Sequence, residues 1–169
     1  MSYQDLQRAF EIIEESGGGD FEGAKPETLA SLAEDALGLR FPPTYRGFLL
    51  RSGCGDITGC EFYGLIDDEF EDSSVPNGVW LTLRERQDSG LPKTLVIVYS
   101  DGMGTYFAID TAQSTSGDEN PIVSWQPDAD PEVVASPHSP VRISDGPTAN
   151  TPRNRGDFSG CAGLRARSL

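Results

Sequence analysis

Apolar positions along the first fifty residues recur at helical spacing. In SYQDLQRAFEIIEES, Leu6, Phe10 and Ile13 fall at i, i+4 and i+7, a stripe that predicts an amphipathic helix. Ser2, three residues before Asp5, gives a capping-box-like start, and Gly17, Gly18 and Gly19 end the segment. After a loop, Pro26 opens a second helix with its apolar stripe at Leu29, Leu32, Ala33, Ala36 and Leu37. Gly38 suits a left-handed C-cap there, which would fold Leu39 back onto the last turn. Pro42 and Pro43 then suit the first turn of a third helix, where a backbone N–H has no intrahelical partner to lose. Its buried face is predicted to be Tyr45, Phe48 and Leu49, and Gly53 stops it.

Downstream the period changes from helical to alternating or continuous. The glycines after Gly53 predict a turn from helix into strand, with EFYGL (61–65) as the first strand. Residues 79–87, with Val79, Trp80 and Leu83, read as one more helix. TLVIVYS (94–100), TYFAID (105–110) and PIVSWQ (121–126) are rich in β-branched and aromatic residues and predict strands. DGMG (101–104) would join the first two as a hairpin, and AQSTSGDEN would loop to the third. The fold class expected is α+β, with N-terminal helices packed on a mainly antiparallel β-sheet. From Pro127 onward the pattern dissolves into prolines, serines, glycines and arginines. Such a segment buries too little surface to offset the ordering of its backbone. The expected division is a globular domain over 1–135 and a low-complexity, disordered tail over 136–169.

Charge narrows the function. The 169 residues hold 13 basic and 27 acidic side chains, a net of −14. Residues 1–135 hold 8 basic and 25 acidic, net −17, while 136–169 hold 5 arginines and 2 aspartates, net +3. A body this acidic repels phosphate backbones, which argues against direct nucleic-acid binding and for a basic protein partner. The acids of the first sixteen residues stand where an export signal needs an apolar core, and no run of about 18 apolar residues occurs. A cytoplasmic protein that does not engage the membrane is expected. Cys54, Cys60 and Cys161 make an odd set, read as reduced thiols rather than a disulfide framework.

Taken together, LGLRFPPTYRGFLLRSGCGDITGCEFYGL, VWLTLRERQDSGLPKTLVIVYSDGMGTYFAID and PIVSW resemble the SUKH superfamily, which takes in Smi/Knr cell-wall regulators and bacterial toxin-immunity proteins. The resemblance is carried by Leu37, Gly38, Pro42, Pro43, Tyr45, Phe48, Leu49, Gly53, Gly55, Leu91, Pro92, Gly102, Gly104 and Trp125, over roughly residues 5–127. It implies a SUKH-like α+β fold. For bacterial members it implies binding and neutralising a cognate toxin of a polymorphic system. Members of the family commonly close with a further amphipathic helix, which PEVVASPHSPVR cannot supply because prolines interrupt it.

Catalysis has little to stand on. A Cys54 nucleophile needs a base, and His138, the sole histidine, lies in the proline-rich tail. The cysteine spacing fits no usual zinc site, and IDDEFEDSS lacks the alternating ligands and central glycine of a calcium loop. SDGMGT joins two strands and opens no helix, unlike a dinucleotide loop. No catalytic residue, metal or cofactor is expected. A small hydrolase using Glu61 and Asp67 has only the abundance of acids behind it.

The expectation is therefore a non-catalytic binding protein. Its partner is a cognate toxin domain, such as a nuclease with a basic cleft, and the alternative is a regulatory or scaffold adaptor of the Smi/Knr type. The partner-binding segment expected is Glu61, Tyr63, Asp67, Asp68, Glu69, Phe70, Glu71 and Asp72: acids around two aromatic anchors, on a loop held out from the body.

Overall fold

The computed structural model describes residues 3–57, 59–113, 118–127 and 129–135. The tail expected over 136–169, the Ser2 cap and His138 lie outside the described residues. Within them the chain is α+β, with four helices and a seven-stranded antiparallel sheet.

Helix α1 runs Tyr3–Glu15, α2 Glu27–Leu37 and α3 Pro43–Ser52. Their ends follow the punctuation in the sequence. Gly38 takes φ 69° and ψ 33°, and the N–H of Leu39 donates to the Glu34 carbonyl at 3.1 Å, so α2 closes as a left-handed cap with Leu39 packed on the core. Pro42 is the N-cap of α3 and Pro43 its first residue, while Gly53 ends it, its N–H donating to Leu49 at 2.9 Å.

The inward face of α2 differs from the expected stripe. Leu29, Ala30, Ala33, Glu34 and Leu37 are buried, whereas Leu32 is 50% exposed and Ala36 is exposed. The helix is rotated because Glu34 is worth burying. One of its carboxylate oxygens accepts from the Phe41 N–H at 2.9 Å and the other from Arg40 Nη1 at 2.8 Å. A carboxylate so satisfied ties the α2–α3 turn together.

Strands follow in chain order across the sheet: β1 Asp20–Phe21, β2 Gly55–Ile57, β3 Cys60–Phe62, β4 Leu95–Ser100, β5 Tyr106–Asp110, β6 Ile122–Trp125 and β7 Glu132–Ala135. Helix α4, Gly78–Asp88, lies between β3 and β4 in sequence. Its N-cap is Asn77, whose side-chain oxygen accepts from Val79 at 3.1 Å and Trp80 at 3.2 Å. Three strands depart from expectation. β1 falls in the loop after α1, β2 in the glycine-rich turn, and β7 in the segment expected to be patternless. They are short, and pairing rather than composition makes them strands.

Alternation sends Val96, Ile109 and Ile122 to one side of the sheet and Ile97, Ala108 and Val123 to the other. The first set packs with Leu29, Ala33, Leu37, Phe41, Leu49 and Leu65, and the second with Tyr63, Leu81, Leu91 and Trp125. Among the described residues no helix is long and apolar enough to cross a membrane. Cys54 is a free, buried thiol, whereas Cys60 is disulfide-bonded, so the expectation of reduced thiols holds for Cys54 and fails for Cys60, and Cys161 lies outside the described residues.

Candidate functional site

Two glycines let helix and sheet approach where the acidic segment begins. A Cβ on Gly55 would sit 2.4 Å from the Phe21 ring and 2.5 Å from the Asp20 carbonyl. One on Gly64 would sit 1.9 Å from the Gly53 carbonyl, so only glycine admits the end of α3 against the strand. With β1 drawn tight against β2, the register places Asp20 opposite Asp56 and Asp56 opposite Glu61. Residues directly opposite one another project from the same face, so three carboxylates stand in a row across three strands. Asp20 and Glu61 are exposed and Asp56 half-buried. Asp56 also accepts from the Gly59 N–H at 2.8 Å, closing the β2–β3 turn.

The strand carrying Glu61 leads into the acidic loop. Leu65 is wholly buried, its N–H donating to the Gly53 carbonyl at 2.9 Å, and Lys25 Nζ donates to the Ile66 carbonyl at 2.8 Å. The return is fixed where Gly64 bridges Asn77. Between these points Asp67, Asp68, Glu69, Glu71 and Asp72 are exposed. Asp67 accepts from the Glu69 N–H at 3.1 Å.

The two aromatics expected as partner-facing anchors point inward instead. Tyr63 is 8% exposed within the second core cluster, and burial pushes its phenol above the ordinary value. Phe70 is half-buried and packs against the first cluster, holding the loop down. Large rings flanked by solvated acids find more apolar area inside than out. Of the expected segment, the acids remain at the surface and the aromatics become its foundation.

Among the described residues the salt bridges are made to other acids. Arg40 pairs with Glu34, Arg46 with Glu27 and Glu34, Arg51 with Glu14, and Arg84 with Asp88. Arg86 is spent on the carbonyls of Leu37, Lys93 and Leu95. Among the described residues none of Asp20, Asp56, Glu61 or the five loop acids has a salt-bridge partner. The row of three was missed in the sequence because Asp20 and Asp56 meet only through strand pairing.

Other candidates resolve into structure. Burial pushes the Cys54 thiol up to about 11, with Glu22 adding to the effect, so it stays protonated at neutral pH. Among the described residues no three His, Cys, Asp or Glu side chains are grouped to hold a metal ion. An open groove of about 570 Å³ lies between the Leu39–Pro43 segment and Thr111, Asp118 and Asn120, and its one cation, Arg40, is paired with Glu34.

These helices and this antiparallel sheet define an α+β domain with a run of exposed acids at one side of the sheet. A family model described as SMI1-KNR4 cell-wall, SUKH_6, matches residues 27–137, from the start of α2 past the end of β7. The chain belongs to this family. Helix α1 and strand β1, with Asp20, precede the matched segment. No curated protein matches the chain.

Proposed function

We propose that this protein is a non-catalytic immunity protein that neutralises a cognate toxin domain of a polymorphic toxin system by binding it directly. The observation that carries the reading is the row Asp20, Asp56 and Glu61 together with the loop acids Asp67 to Asp72, all without cationic partners among the described residues. Like charges directly opposed across strands are destabilising, and a basic partner surface turns that cost into attraction. The partner chemistry that fits is a basic cleft, such as that of a nuclease, which this surface would fill in place of a phosphate backbone. Charge of this kind raises association to about 10⁸–10⁹ M⁻¹s⁻¹ at low salt. Speed is what protects a cell against a toxin that acts at low copy number. Family membership supports the reading, since SUKH proteins include toxin-immunity proteins.

Co-expression with toxin domains encoded beside this gene tests it. Rescue of growth, and co-purification of the pair, is expected. Rescue by none of them would sink the proposal.

A second reading, a regulatory adaptor, is favoured by the cell-wall description of the matched family. A gene with no toxin neighbour, whose deletion alters cell-wall sensitivity, would select it.

A further inference from the structure

Cys60 begins β3 and is bonded through a disulfide, although only 6% of its surface is exposed. The chain has three cysteines, and Cys54 is a free thiol. Within one chain that leaves Cys161 as the partner of Cys60. Cys60 and Phe62 are two apart on β3 and so project from the same face of the sheet. The register continues that face through Tyr99 on β4 and Phe107 on β5. Their rings form a ladder, with centroids 5.6 Å apart from Phe62 to Tyr99 and 5.5 Å from Tyr99 to Phe107. All three are half-buried, and Tyr99 and Phe107 each have an interaction beyond the ladder. The carboxylate row, through Glu61, lies on the opposite face.

We propose that Cys60 and Cys161 form an intrachain disulfide that seats the segment around Cys161 on this aromatic face. Phe158, Ala162 and Leu164 flank Cys161 and offer apolar side chains to the ladder. Arg153, Arg155, Arg165 and Arg167 bring positive charge to a body of net −17 over residues 1–135. Reach is sufficient. Four strand spacings of about 4.8 Å put β7 roughly 19 Å from β3. The chain from Ala135 to Cys161, at about 3.3 Å per residue when extended, spans several times that. The cross-link supplies what composition lacks, because closing the loop removes chain entropy that would otherwise keep so polar a segment off the body. The bond is also a switch. Two protein thiols and a glutathione disulfide give the protein disulfide and two glutathione thiols, and a dithiol reductant reverses the step. Oxidised, the segment covers the ladder and leaves the carboxylate row on the other face open; reduced, it releases the ladder. This inference goes beyond the toxin reading and does not depend on it.

Non-reducing tryptic mapping of the full chain, after incubation with glutathione disulfide, tests the bond. Cys54 and Cys60 share the tryptic peptide 52–84, so fragmentation, or the Cys54→Ala variant, assigns the sulfur. A link from Cys60 to peptide 156–165 in a monomeric chain, lost on adding dithiothreitol, is expected. A free Cys60, a Cys54–Cys60 bond or a disulfide-linked dimer on a non-reducing gel overturns the proposal. The rate of tryptic cleavage after Arg155 and Arg165 tests the seat. It should be at least about tenfold slower in the oxidised chain than in Cys161→Ser, since cleavage requires the segment to lift from the face. Should Cys161→Ser not fold, as judged by circular dichroism, reduction of the wild-type chain carries the same comparison. Equal rates with and without the bond would show a tether that seats nothing, and would overturn the docking.

Discussion

One carboxylate oxygen of Glu119 accepts both the backbone N–H of Thr44, at 2.9 Å, and the Thr44 hydroxyl, across 75 residues of sequence. Thr44 lies in the first turn of α3, whose N-cap Pro42 has no side chain able to accept a hydrogen bond. The segment entering β6 therefore supplies the cap that the local sequence omits, with a negative charge at the positive end of the helix. Glu119→Ala should cost about 1–3 kcal/mol. That lowers the thermal midpoint by several degrees, at about 2–4 °C per kcal/mol for a chain this size. Glu119→Gln, which keeps an acceptor, should cost less. Equal losses for both variants would show that the hydrogen bonds to Thr44 are not what stabilises this contact.

The carboxylate row predicts opposite effects on stability and on binding. Glu61→Gln removes a like charge facing Asp56. It should raise stability slightly, by less than about 1 kcal/mol at an exposed site, while slowing association with the partner. Neutralising Asp67, Asp68, Glu69, Glu71 and Asp72 together should slow association further and flatten its salt dependence, with the thermal midpoint unchanged. Stopped-flow rates across a salt series, beside melting curves, check both. An unaltered rate in the fivefold variant would move the binding face elsewhere, and the acids Glu11, Glu14 and Glu15 of α1 come next.

Cys54 should resist alkylation in the native protein at pH 8 and react once the chain unfolds. Its folded value of about 11 lies above the ordinary value of 9.0. Between these two the folded state binds the proton that the unfolded state has lost, so stability falls as pH rises through that window. Cys54→Ala should flatten this alkaline loss. Rapid labelling of native protein, or an unchanged slope in the variant, would contradict the burial argument.

Arg86 donates to the Leu37 carbonyl at 2.9 Å and the Lys93 carbonyl at 2.6 Å, tying the end of α2 to the approach of β4. Burial lowers its guanidinium from the ordinary value. Arg86→Ala strands these carbonyls and should cost about 2–3 kcal/mol. Arg86→Lys should recover only part, because a single ammonium cannot reproduce the fork. Denaturant midpoints at constant m-value measure the difference.

The sequence by itself determined the helices and the central strands. Pro26, Pro42, Pro43, Gly38 and Gly53 restrict or free the backbone at their own positions, so the limits of α2 and α3 were legible. The runs that became β4, β5 and β6 carry enough β-branched and aromatic residues to be strands in any arrangement that buries them. The family resemblance rests on the same local features. Tertiary structure alone decided the rest. β1, β2 and β7 are two to four residues long and exist because a neighbouring strand pairs with them. The rotation of α2, which exposes Leu32 and buries Glu34, depends on Arg40 and on the Phe41 N–H. Tyr63 and Phe70 turned inward because the core had room for their rings, a fact about packing that hydropathy along the chain does not carry. The row Asp20, Asp56 and Glu61 is a matter of register. A local pattern reports which faces of an element are apolar, whereas a register is fixed by contacts between residues far apart in sequence, and only the folded chain brings those carboxylates together.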